Sequence, residues 1–266
     1  MMFTKKNKKT NNRQFVINEK GFSHYPPDKD FSVYQKYFDH ILHLRNKFSS
    51  EINFLDIGCG AGQVIAKLAT KFNSECQLVG IDIGGESIQL AKKNKNGKFL
   101  QYDGFNMPFN DNYFNIVGSY NVLEHVNNPV LFLSESLRVL KPGGYLIISC
   151  PNFLSITNSY HHHTKGLVRK IKNFLITLKK IFSRTYNFEK MLTIERENRQ
   201  PDDDACVVTN PLDLLKWAKN NNLQLMYWSS QPVYKKSVVN ILDYSFLKLF
   251  LGSCFMIFKK NNEKNI

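Results

Sequence analysis

A largely apolar stretch, Ile52 to Ile57, runs directly into Gly58-Cys59-Gly60-Ala61-Gly62-Gln63. Val64, Ile65, Leu68 and Phe72 then follow at helical spacing. A near-continuous apolar run reads as a strand buried on both faces, and helices covering both faces of a parallel sheet provide that burial. The glycines permit a tight turn and let a ligand approach the backbone closely. The helix start behind them offers unpaired N–H groups and a partial positive charge, which suits a carboxylate or phosphate. The next apolar run, Gln77 to Ile83, carries Asp82 near its end. From there a carboxylate can accept hydrogen bonds from both hydroxyls of a ribose. Glycine spacing by itself fits a nicotinamide cofactor as well as other nucleoside cofactors, and the plain alternative is a turn with no ligand.

The rest of the chain continues the alternation. An amphipathic helix is predicted from Phe31 to Phe48, a short one from Glu86 to Lys93, and strands over Phe99–Tyr102 and Asn115–Tyr120. Asn128 and Pro129 are start signals for a helix with the stripe Val130, Leu133, Leu137 and Leu140. Lys141-Pro142-Gly143-Gly144 is expected to stop it before a strand over Tyr145–Cys150. Alternating strands and helices imply βαβ units with right-handed crossovers. The last third differs: a helix over Pro211–Asn220, then strands over Leu223–Trp228 and Gly252–Phe258 that are placed to pair antiparallel. The expected organisation is a basic tail (1–20), a main domain (21–150 and 210–266) and a basic helical insertion (151–209).

Further acids and motifs narrow the ligand. Asp56 lies on the strand before the glycines, and Asp103-Gly104 follows the third strand, where a carboxylate could meet an adenine amino group. Met107-Pro108-Phe109, Gly118 to His125 and Arg138 to Leu146 follow in order. Together these resemble the class I S-adenosylmethionine-dependent methyltransferases, closest to the small-molecule branch that includes quinone-biosynthesis enzymes. The resemblance covers about residues 51–150. It implies an α/β fold with a Rossmann-like, seven-stranded, mostly parallel sheet of order 3-2-1-4-5-7-6, strand 7 antiparallel; the break in alternation adds a helical lid inserted after strand 5. It also implies that Asp56, Gly58, Gly60, Gly62 and Gln63 hold the methionine part of the cofactor. Asp82 would take the ribose, Ile83 would pack on adenine, Asp103 and Gly104 would meet the adenine edge, and Asn121 and Leu123 would line the methionine end. Two positions depart from the pattern: Asn115 stands where Asp is usual, and Gly84-Gly85 where Ser often begins the helix.

Methyl transfer from a sulfonium is an in-line displacement that needs alignment above all. A hydroxyl acceptor would profit from a general base. His125, with Glu124 beside it, follows the fourth strand and is the candidate; the competing reading is a structural histidine over the cofactor. Nucleic-acid acceptors are disfavoured. The fourth strand lacks an Asn/Asp-Pro-Pro-aromatic motif, and Cys150-Pro151 lacks the second cysteine motif that pyrimidine chemistry would require. His161-His162-His163 and Asp202-Asp203-Asp204 do not have metal-ligand spacing, so no metal is expected. His24 and Tyr25 precede the first helix, where they could fold over the cofactor.

Charge adds the partner. The net charge of +14 is concentrated outside the main domain: residues 1–20 carry six Lys/Arg against one acid, and residues 151–200 carry ten against three. An acidic or lipid-linked small-molecule substrate fits, as does a peripheral membrane contact through residues 165–182; codon bias is the plain alternative. In that segment Leu167, Ile171, Phe174, Leu175, Leu178 and Phe182 share one helical face, with Lys and Arg on the remainder. The first expectation is that the apolar face packs on the core as a lid. Five scattered cysteines, with no apolar leader and no long apolar run read in the sequence, make a reducing cytoplasm the expected compartment. Two alternatives stand beside the small-molecule transferase: an RNA or protein methyltransferase using the basic flanks, and a catalytically silent cofactor-binding protein.

Overall fold

The computed structural model describes residues 31–72, 76–95, 97–158, 164–194, 203–230 and 246–262. The basic tail, His24 and Tyr25, the three consecutive histidines and Asp202 lie outside them.

The strands are β1 (Asn53–Ile57), β2 (Gln77–Asp82), β3 (Lys98–Gln101), β4 (Phe114–Tyr120), β5 (Leu140–Pro151), β6 (Leu223–Ser229) and β7 (Ser253–Lys260). They form one sheet of order β3-β2-β1-β4-β5-β7-β6. The first five are parallel, and β7 runs antiparallel to both β5 and β6. The helices are α1 (Gln35–Arg45), α2 (Gln63–Ala69), α3 (Gly85–Ala91), α4 (Pro129–Val139), α5 (Leu167–Phe182) and α6 (Pro211–Asn220). One core layer joins Tyr37 and Ile41 of α1 with Ile65 and Leu68 of α2 and Ile88 of α3. The other joins Phe132 and Leu133 of α4 with Leu214 and Trp217 of α6. Apolar burial on both sides is what keeps β1 a near-continuous hydrophobic run.

Asn128 caps α4 as expected, its side chain accepting from the Leu131 amide. The buried face of that helix is different, however: Phe132, Leu133, Ser136 and Val139 point inward and Val130 is exposed. The larger Phe132 removes more apolar surface from water than Val130 would. Lys141-Pro142-Gly143-Gly144 does not separate helix from strand. It is already part of β5, and the irregularity is absorbed as a register shift between Phe114 and Ile116 of the partner strand.

The greatest difference is at α5. Its buried residues are Asn173 and Thr177, while Leu167, Ile171, Leu175 and Phe182 face outward at 75, 53, 58 and 85% exposure. The expected packing of its apolar face on the core is therefore wrong. Polar partners hold the opposite face. Asn173 Nδ2 donates to the Phe153 carbonyl at 3.0 Å, and Lys180 Nζ donates to Asp213 of α6 at 2.8 Å. Among the described residues no helix is long and apolar enough to cross a membrane.

Candidate active site

Strand order reverses between β1 and β4, so the loops leaving these strands diverge and open a crevice at the C-terminal edge of the sheet. The glycine loop lies on one side of it. Gly58 and Cys59 amides donate to the Ile81 carbonyl at 2.8 and 3.1 Å, and the Gly62 amide donates to the Cys59 carbonyl at 2.9 Å. The first two bonds tie the loop to β2 and the third closes its turn. Gly58, Gly60 and Gly62 all have positive φ, which favours glycine. At Gly58 a side chain would also collide with Val122 from the loop after β4. At Gly60 it would meet nothing within 4 Å, so this part of the backbone faces open space.

Asp82, at the end of β2, organises the loop from below. Its Oδ2 accepts from the Gly60 amide at 3.0 Å and its Oδ1 from the Gly84 amide at 2.7 Å. A Cβ at Gly84 would come within 3.1 Å of that carboxylate, a close approach at the position where the resembled pattern often has Ser. Burial raises the Asp82 carboxyl above the ordinary range, against the pull of these amides. Asp56 on β1 is also buried, and its Oδ1 accepts from the Tyr37 hydroxyl at 2.8 Å. Desolvation pushes its carboxyl up to about 7; the tyrosine bond opposes that and the neighbouring Asp82 charge adds to it. Among the described residues no Lys, Arg or His forms an ion pair with either carboxylate. The arrangement suits a ligand that brings positive charge to the acids and hydroxyls to Asp82.

The remaining predicted residues take up different positions around the crevice. Gln63 begins α2, and Ile83 follows β2, half-buried against the core. Asp103 is exposed and accepts from the Phe105 and Asn106 amides at 2.8 and 3.2 Å, fixing its own turn beside Gly104. That loop is braced from α4, where Arg138 pairs with Glu135 and donates to the Met107 and Phe109 carbonyls. Asn121 has φ 55°, and its amide donates to the Ser149 carbonyl at 2.8 Å. The Leu123 side chain is fully buried in the core. The other departure from the resembled pattern, Asn115, accepts from the Asn53 amide and from Lys141. It sits near the start of its strand, away from the crevice.

Beyond β4 the candidate base has a partner that the sequence did not reveal. His125 Nδ1 lies 3.3 Å from Asp204 Oδ1, and Nε2 lies 3.9 Å from Glu124 Oε1. Glu124 is fully buried, and its carbonyl accepts from the Cys206 and Val207 amides. The far end of the insertion is thereby tied to the loop that carries His125. No local signal joins positions 125 and 204. Tyr37 was missed as well, although Gly118 in mid-strand was a signal. A side chain there would strike the Tyr37 hydroxyl, and an interior strand glycine often marks such close approach. Among the described residues no group of His, Cys, Asp and Glu could hold a metal.

Comparison with known proteins agrees with this geometry. Residues 48–207 match the family described as a methyltransferase domain. An uncharacterized methyltransferase of Schizosaccharomyces pombe is 34% identical over 113 residues, 38% of this chain and 40% of the relative. The mitochondrial ubiquinone biosynthesis O-methyltransferase of Dictyostelium discoideum is 35% identical over 121 residues, 39% of this chain and 37% of the relative. The chain thus spans well under half the length of the curated relatives it matches. The plantazolicin methyltransferase BpumL, solved with a monoazolic desmethylPZN analog and SAH, shares the fold with a TM-score of 0.56. Its identity is 15%, with 87% of this chain and 85% of the other covered.

Proposed function

Since the chain belongs to the methyltransferase-domain family, we propose that it transfers a methyl group from S-adenosylmethionine to a small-molecule acceptor, an acidic or lipid-linked one. The observation that carries this reading is the buried pair Asp56 and Asp82 beneath a glycine loop that faces open space at Gly60. S-adenosylmethionine fits that donor set, because it brings an ammonium, a sulfonium and a ribose diol to two carboxylates in need of positive charge. When bound it supplies an electrophilic methyl group. Asp82 would hold the ribose hydroxyls, Ile83 the adenine face, and Asp103 with Gly104 the adenine edge. The glycine loop, Gln63, Asp56 and Asn121 would surround the methionine portion; Leu123, expected to line it, is fully buried in the core and would only support it from behind.

His125 would take the acceptor's proton at Nε2, and Asp204, 3.3 Å from Nδ1, would stabilise the imidazolium that forms. Glu124 would steady the same ring from the other side. The basic insertion favours an acceptor with negative charge. The test is turnover with labelled S-adenosylmethionine on fractionated cell extracts, alongside calorimetric binding of the cofactor. The wild-type chain should bind the cofactor and label an acceptor. His125→Ala should lower turnover about tenfold or more with cofactor affinity nearly unchanged. Equal turnover would retire the base, and failure to bind S-adenosylmethionine would end the whole reading.

A further inference from the structure

Helix α5 turns its apolar side away from the protein. Leu167, Ile171, Leu175 and Phe182 form an exposed stripe, and the helix contains no acidic residue. Lys172 and Lys179 are exposed along one border of the stripe. The patch does not end with the helix. Phe174 stacks at 5.2 Å on Phe250, which meets Phe246 at 5.7 Å, and Phe246 and Leu247 are themselves exposed in the turn before β7. Isolated exposed hydrophobics are ordinary, but a continuous apolar stripe with a basic border is not.

The orientation is enforced. Asn173, Thr177 and Lys180 mark the inward side; Asn173 donates to the Phe153 carbonyl and Lys180 to the Asp213 carboxylate, while the buried Thr177 hydroxyl bonds back to the Asn173 carbonyl of its own helix. Rolling the helix would strip Asp213 of its lysine and the Phe153 carbonyl of Asn173, and would pull Ile176 off the apolar cluster of Phe153, Leu154, Met191 and Val208, so these contacts oppose hiding the stripe.

We propose that α5 and the Phe246–Leu247 turn dock on an anionic lipid bilayer, with the apolar stripe in the headgroup–acyl boundary and Lys172 and Lys179 on the lipid phosphates. This is the arrangement by which a basic amphipathic helix lies in a membrane surface. A second copy of the chain is a poorer occupant. Two-fold pairing through the stripe would bring the basic borders of two identical helices together with no acid on either to offset them. The docking surface is independent of the methyl-transfer reading. Phe153, whose carbonyl anchors Asn173, lies two residues beyond the C-terminal end of β5, so the helix is held at the same sheet edge as the crevice.

The test is co-sedimentation of the full chain with phosphatidylglycerol–phosphatidylcholine vesicles, with pure phosphatidylcholine as the control. The wild type should pellet with the anionic vesicles and release as salt rises. Ile171→Glu/Leu175→Glu should abolish pelleting, and Lys172→Glu/Lys179→Glu should weaken partitioning by about tenfold or more. Both pairs are exposed, and circular dichroism melting should show the variants folded. A wild type that stays in the supernatant overturns the proposal, whether the stripe pairs with a second copy or is covered by another stretch of this chain. Equal binding to neutral and anionic vesicles, or full binding by Ile171→Glu/Leu175→Glu, also overturns it. Because no cofactor enters the assay, its outcome is separate from that of the turnover test.

Discussion

Two parts of this molecule bury carboxylates, and they do so in opposite ways. Asp213, near the start of α6, is fully buried and surrounded by donors from its own chain: Lys180 Nζ at 2.8 Å, Asn210 Nδ2 at 2.7 Å and the Asn187 amide at 3.2 Å. Asp56 is equally enclosed, yet its donor is one tyrosine hydroxyl and its nearest charge is another acid, Asp82. The first carboxylate completes a structural joint. The second is left short of positive charge at a place where a crevice opens. A fold that can satisfy Asp213 this fully has no general difficulty in pairing buried charge, so the shortage at Asp56 and Asp82 is best explained by a partner from outside.

The largest expected effect tests the satisfied side. Lys180→Met keeps the apolar stem and removes the cation from Asp213. Breaking a buried pair from one side costs about 3–5 kcal/mol. Urea denaturation should show that loss, and a cost near zero would mean that the asparagine and amide donors suffice alone.

The next effect is on the order of 4 kcal/mol and tests the unsatisfied side. The unfolded chain releases the Asp56 proton near an ordinary carboxylate pKa of ~4, whereas the folded protein keeps it to about 7. Between these values the folded state binds more protons, so this group's contribution to stability is present below pH ~4 and is lost as pH rises through about 7. Asp56→Asn should therefore match the wild type near pH 4 and exceed it at pH 8 without ligand. Adding S-adenosylmethionine should narrow the difference by neutralising the site. A wild-type minus variant difference that stays flat with pH would place Asp56 with Asp213 instead.

How much of this was legible in the sequence follows from the range of the forces involved. Local chemistry fixed the glycine loop, the Asn128 cap and the strand alternation; the sheet order was implied only by the resemblance to the methyltransferases, and the structure has that order. Asp56 and Asp82 were identified by position, since each lies at or near the end of an apolar strand. What failed to show was anything decided between distant segments. The spacing of α5 reveals two faces but not which one turns inward, because that depends on Phe153 and Asp213 offering polar partners. In α4 the same ambiguity was milder, and the larger Phe132 settled it. The approach of Asp204 to His125 crosses most of the insertion and leaves no periodic trace.

Asp82→Asn carries the comparison to the ligand. The amide keeps the shape, but it replaces one acceptor oxygen with a donor and removes the charge. Calorimetry should find S-adenosylmethionine binding weaker by about ten- to a hundredfold, the loss of one hydrogen bond to a charged group. An unchanged Kd would remove Asp82 from the cofactor site and leave it as the anchor of the Gly60 loop.

The smallest effect is also the most discriminating. Tyr37→Phe removes the donor to Asp56 and leaves the ring in place. A hydrogen bond of this kind is worth about 1 kcal/mol to a neutral partner and about 1.5–3 kcal/mol to a charged one. Because it lowers the Asp56 pKa, its removal should push that carboxyl further up. The destabilisation, read by urea denaturation, should then be near the lower figure at pH 5 and greater at pH 8, where the wild-type carboxylate is ionised. In an Asp56→Asn background the pH dependence should vanish, since the amide does not ionise. If Tyr37→Phe costs the same at both pH values, the hydroxyl does not support a charge, and Asp56 is kept neutral by the fold. The positive charge that the crevice wants would then be owed to Asp82 alone.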